Sequence, residues 1–358
     1  MLKSDQFLPL EFVFNPNWWN KTAGISFDRD FYLNPKKREE NDVMMRRILF
    51  EKFGEFGFGE ENPKPRPIAG SMMVAGGFVI PALLGAEIRF STAEAPQPLP
   101  QIRSKDQIMS FVEPDILSNW PMNELADGWD RQQKEYGYLL GDINTDGILN
   151  AAYHFYGPDL FADLLEDPDV PVRFMRKIAK IIIQTATYIK NRTGTTSVSV
   201  NRMACRLSPS PFIHANCSVQ MISPRTYEKN LLPIEQDMAK SISDYGVHHC
   251  GVKTEIYAKF YNQIPVCYCE IGWESNPEKC RSFLPNAFLN LRLSPIRMLS
   301  CSSSEIKNDV EELLNSVGDL TNVGVSCINM DFGTPEENIM TVSETVERYR
   351  ILWKKHHG

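Results

Sequence analysis

The feature that most constrains the fold is an alternation that begins at Ala69, where short apolar runs are repeatedly followed by stretches of helical periodicity. Strands each followed by a helix pair in parallel, because the crossover returns the chain to the same end of the sheet. Strands are expected over Thr196–Val200, Val247–Cys250, Pro265–Ile271, Ala287–Leu291 and Asn322–Ile328. Helices are expected over Asp159–Arg192 (split by Pro168 and Pro171), Pro224–Tyr245, Thr254–Asn262, Glu305–Val317 and Pro335–Lys354. Ser223 before Pro224, and the serines 302–304 before Glu305, supply capping hydroxyls where two of these helices should begin. Ser71–Pro81 and Glu135–Leu140 read as strand or strand entry. The class is α/β, and periodicity leaves two forms open: an open parallel sheet or a (β/α)8 barrel of the TIM type.

Residues 1–67 do not share this pattern. They are rich in aromatics (Trp18, Trp19, Phe27, Phe31, Tyr32) and carry one amphipathic helix, Glu39–Phe53, before a glycine loop and the prolines 63, 65 and 67. The division expected is an N-terminal extension, 1–67, packed on a main domain, 68–358. The extension would cover the mouth of the domain or meet a second copy in a homo-oligomer. A net charge of −7 without a Lys/Arg cluster argues against nucleic-acid binding. No apolar run approaches the roughly 20 residues needed to span a bilayer. The first residues lack a signal-peptide layout, so a cytoplasmic location is expected, with the eight cysteines as thiols or metal ligands rather than disulfides.

The chemistry is concentrated in Val247-His248-His249-Cys250-Gly251. On a strand, His248 and Cys250 point to one face and His249 to the other. One imidazole and one thiolate side by side are half of a zinc site, and Cys327 on a later strand is the candidate third ligand. Three protein ligands with an open fourth position are the pattern of a catalytic zinc, and two thiolates would leave the ion formally neutral. Glu270 stands at the end of an apolar strand, where a carboxylate needs compensation. A fourth zinc contact, a substrate hydrogen bond or an ion pair with Arg292 would each supply it. Asn144, Asn201, His214 (read as lying on a loop before a helix) and Arg292 are candidates for substrate positioning. Asp142-Ile143-Asn144-Thr145-Asp146-Gly147 matches the start of a calcium loop, with Asn150 at the ninth position, but Tyr153 stands where the bidentate Glu belongs. A polar loop at the catalytic face is the better reading. Gly54–Gly59 has the wrong glycine spacing for a dinucleotide fingerprint.

Four segments resemble the uroporphyrinogen decarboxylase superfamily, in that family's order. They are Ser223-Pro224-Arg225-Thr226-Tyr227; His248-His249-Cys250-Gly251; Asn290-Leu291-Arg292-Leu293-Ser294-Pro295; and Cys327 through Gly333-Thr334-Pro335-Glu336-Glu337-Asn338. The third lacks the family's glycine and aspartate. The resemblance covers about residues 195–350 and implies a (β/α)8 barrel. The Arg-rich N-terminal motif that holds tetrapyrrole carboxylates in true decarboxylases has no counterpart. The resemblance therefore points to the zinc-dependent, corrinoid-linked branch, of the methylcobamide:coenzyme M type, and implies His248, Cys250 and Cys327 as ligands. The implied reaction is methyl transfer between a corrinoid (cobalamin), carried by a small partner protein, and a small-molecule donor or a thiol acceptor. Two other readings stay open: a metal-independent decarboxylase or lyase using Glu270 with Arg202, Arg206 and Arg292, and a non-catalytic binding barrel.

Overall fold

The computed structural model describes residues 2–70, 73–74, 76–141, 143–194 and 202–357. Its centre is a curled sheet of six parallel strands: β1 (Leu10–Phe14), β2 (Phe212–Ala215), β3 (Tyr245–His248), β4 (Tyr268–Ile271), β5 (Phe288–Arg292) and β6 (Val323–Met330). The order across the sheet is β1-β6-β5-β4-β3-β2. A further parallel bridge joins Ile68 to Leu140. With helices packed on its outer face, this is an α/β barrel of the TIM type, one of the two forms that the alternation of apolar runs and helical stretches leaves open.

The helices begin where the sequence supplies caps. Ser302 caps Ser303–Ser316 and forms a reciprocal capping box with Glu305. Ser223 caps the helix that starts at Pro224, which runs through a π-turn at Tyr227–Leu231 into Leu232–Ser241. Asp159–Glu166 and Asp169–Thr193 are separate helices, divided at Pro168 as expected.

Three expectations change. Residues 1–67 do not end where the sheet begins, because Leu10–Phe14 lies inside them and pairs in parallel with β6, Leu10 opposite Val325 and Phe12 opposite Cys327. The aromatics that follow support this strand: Phe14 stacks on Trp18 at 4.1 Å, and Trp18 meets Trp19 edge-on at 4.8 Å. The segment expected as a loop around His214 is the strand β2. Ser71–Pro81 contains no strand among its described residues, and the helix Val79–Leu83 begins within it. The strand expected over Thr196–Val200, and Asn201 after it, lie outside the described residues.

Candidate metal centre

Register decides which side chains meet. In parallel strands, paired residues point to the same face. Ala215 is paired with His248, His248 with Glu270, Glu270 with Asn290, and Asn290 with Gly324. This row faces the barrel interior, where His248, Glu270 and Asn290 are all buried. Extending β2 and β3 by two residues keeps the parity and brings Cys217 beside Cys250. The donor atoms of Cys217, His248 and Cys250 all lie within 4.8 Å of one another. His248 is buried, whereas Cys250 is half-buried and Cys217 exposed, so the group is open on one side. One imidazole and two thiols form a donor set that suits zinc, and three protein ligands leave a fourth position free.

The surroundings hold this group. Glu270 Oε2 lies 3.0 Å from His248 Nδ1, which leaves Nε2 as the nitrogen available to a metal. A carboxylate behind a metal-binding histidine fixes the ring and its tautomer. The other oxygen of Glu270 lies 3.4 Å from Arg292 Nε, and Tyr268 donates its hydroxyl to Oε2 at 3.5 Å. Arg292 Nη1 also donates to the Cys250 carbonyl at 3.0 Å. Burial pulls the His248 pKa down, but the charges of Glu270 and Cys250 outweigh it and raise it to about 9. Cys250 is held far below the ordinary thiol range by a hydrogen bond from Cys217, against burial, with His248 and Arg292 adding to the effect. Cys217 is pushed up by the same bond, with the neighbouring charges of Cys250 and Asp146 adding to it.

The loop carrying Cys250 is pinned by close backbone contact. A Cβ at Gly272, the residue after β4, would lie 1.5 Å from the Gly251 carbonyl oxygen, so only glycine lets the two chains pass.

The sequence profile of uroporphyrinogen decarboxylase (URO-D) matches residues 70–349. The chain belongs to the uroporphyrinogen decarboxylase family. Among solved structures, a methyltransferase from Methanosarcina mazei is similar over 96% of this chain and 94% of its own, with 15% identity and a TM-score of 0.65. A B12-independent methionine synthase from Shewanella sp. W3-18-1, solved in complex with selenomethionine, is similar over 98% of each chain, with 7% identity and a TM-score of 0.50. At these identities the likeness is one of fold. No curated protein matches the sequence.

In this member of the uroporphyrinogen decarboxylase family, the structure joins two of the three ligands expected from sequence and parts them from the third. Cys327 shares the parity of Val325, which is paired with Leu291 on the helix-facing side of β5. Its thiol is buried near the Leu293 carbonyl, at 3.8 Å, and burial raises its pKa to about 12. It stands outside the Cys217–His248–Cys250 group.

His214 also faces the helices, since it is paired with Val247 and not with His248. Its Nε2 accepts from the Ile148 amide at 3.2 Å, its Nδ1 lies 3.5 Å from Glu235, and burial lowers its pKa to about 3. It braces the wall rather than lining the mouth. Asn144 lines a small apolar hollow with Tyr32, Val74 and Phe78. Arg202 and Arg206 both pair with Glu11, at 3.5 and 2.6 Å.

The residue missed was Cys217. Reading Phe212-Ile213 as the buried part of a strand would have placed it two residues past the strand end, as Cys250 is past His248.

Proposed function

We propose that the protein is a zinc-dependent methyltransferase, moving a methyl group between a corrinoid carried by a partner protein and a small-molecule donor or thiol acceptor. The observation that carries this reading is the convergence of Cys217, His248 and Cys250 at one open position. A zinc ion there would lower the pKa of a coordinated thiol or act as a Lewis acid on a methyl donor. The chain's own residues prepare that role. Glu270 holds His248 with Nε2 presented, and Arg292 ties the Cys250 backbone to Glu270. Two thiolates from Cys217 and Cys250 would balance the charge of such an ion, so that a thiol bound there would keep its nucleophilicity. The exposure of Cys217 gives a bulky corrinoid protein access to the same side. Membership of the uroporphyrinogen decarboxylase family and the fold of the Methanosarcina mazei methyltransferase support this branch of chemistry over a binding role. The eight cysteines are all free thiols, which fits the cytoplasm.

Zinc analysis and a cobalamin assay test the reading together. The expected result is about one zinc per chain, greatly reduced in Cys217→Ser and Cys250→Ser and retained in Cys327→Ser. Mixing with Co(I) or methyl-Co(III) cobalamin and a panel of thiols, ethers and methylated amines should change the cobalt spectrum. Metal-free protein after zinc reconstitution, or an unchanging spectrum with every donor and acceptor, would overturn it.

A further inference from the structure

We propose that Asn150 is the positioning residue for Cys217, and that Ile143–Asn150, part of what looks like a calcium loop in sequence, supports the metal centre. The inference rests on the metal reading above and goes beyond it by assigning the support of the third ligand. His248 is backed by Glu270, and the Cys250 backbone is held by Arg292. Cys217 lies two residues past Ala215, where the ladder between β2 and β3 has ended, so strand pairing does not place it.

Asn150 supplies what the ladder does not. Its Oδ1 accepts from the Ser218 amide at 2.8 Å, and its Nδ2 donates to the Ala215 carbonyl at 3.4 Å. A single amide therefore grips the chain on both sides of Cys217. An amide can both accept and donate in this way; a carboxylate would only accept. Nδ2 also donates to Asp146 Oδ1 at 2.8 Å, and that oxygen accepts from the Gly147 amide at 2.8 Å. These bonds orient Asn150 from below.

The platform itself is docked closely on β2. A Cβ at Gly147 would lie 1.8 Å from the Ala215 carbonyl oxygen, and the next amide, of Ile148, donates to His214 Nε2 at 3.2 Å. The glycine of the apparent calcium motif thus serves a close approach of backbones. Asp146 Oδ1 is taken up by Asn150 and Gly147.

Cobalt(II) titration of the full-length, zinc-stripped protein tests this, because thiolate-to-cobalt absorption counts the sulfur ligands independently of activity. Wild type should show a two-thiolate spectrum and Cys217→Ser a one-thiolate spectrum. Asn150→Ala should move towards the one-thiolate spectrum and bind zinc about 10–100-fold more weakly in chelator competition, the usual effect of removing support behind a ligand. Asp146→Asn keeps Asn150 but weakens its anchor, and should lose affinity by a smaller factor. If Asn150→Ala does not fold, the Asp146→Asn affinity decides. A wild-type spectrum and zinc affinity in Asn150→Ala, or in Asp146→Asn where it decides, would overturn the inference while leaving the metal site standing. No cobalt binding by wild type, or a spectrum unchanged in Cys217→Ser, would overturn both.

Discussion

At the scale of single residues, the site is a set of buried charges that compensate one another. Glu270 lies between His248 and Arg292, and truncating it would leave two buried cationic groups facing each other. Glu270→Gln should keep the fold and lower zinc affinity by about 10–100-fold, measured by chelator competition. Glu235 is a buried carboxyl of another kind. Burial, against hydrogen bonds from Asn216 and Tyr227, raises it from 4.5 to about 7. The folded state holds this proton more tightly than the unfolded chain, so its contribution to stability is present below pH 4.5 and lost as pH rises through 7. Glu235→Gln should therefore gain about 2 kcal/mol more, relative to wild type, at pH 8 than at pH 5. Denaturant unfolding at the two pH values checks the sign.

At the scale of elements, the alternation of side chains along a strand separates ligands from wall. His248 and Cys250 were legible as a same-face pair because period 2 is a property of the strand alone. Cys327 was not, since its face depends on the register of β6 against β5, and Val325 opposite Leu291 turns it to the helices. His214 and Cys217 carried the converse lesson. Read as a loop, the segment offered no parity. As the strand β2, it sends His214 to Glu235 and the helix layer, and Cys217 to the mouth. The junction after β4 is equally demanding. Gly272→Ala should cost about 1–3 kcal/mol through overpacking against Gly251, and should weaken metal binding by displacing Cys250. Thermal unfolding with and without zinc would separate the two effects. At a helix start, Ser302→Ala removes the side-chain half of a capping box and should cost about 1 kcal/mol, read as a drop in the same unfolding midpoint.

For the whole molecule, the consequence of β1 is that residues 1–67 belong to the barrel's closure. Leu10–Phe14 covers the edge of β6, and Phe14, Trp18, Trp19 and Phe53 pack together beside it. Deletion of residues 1–67 should leave an apolar strand edge exposed and give insoluble protein, rather than a smaller stable barrel. Solubility on expression is the test. No helix among the described residues is long and apolar enough to cross a membrane. What the sequence determined by itself was local and periodic: the α/β class, most strand and helix positions after Asp159, the caps, and the His248–Cys250 pair. These follow from spacing within one element, which needs no partner to define it. Only the tertiary structure brought Cys217 beside His248 and Cys250, set Glu270 between His248 and Arg292, turned His214 to Glu235, and paired β1 with β6. Each depends on register between strands far apart in sequence, where a shift of one residue would turn a ligand towards the wall.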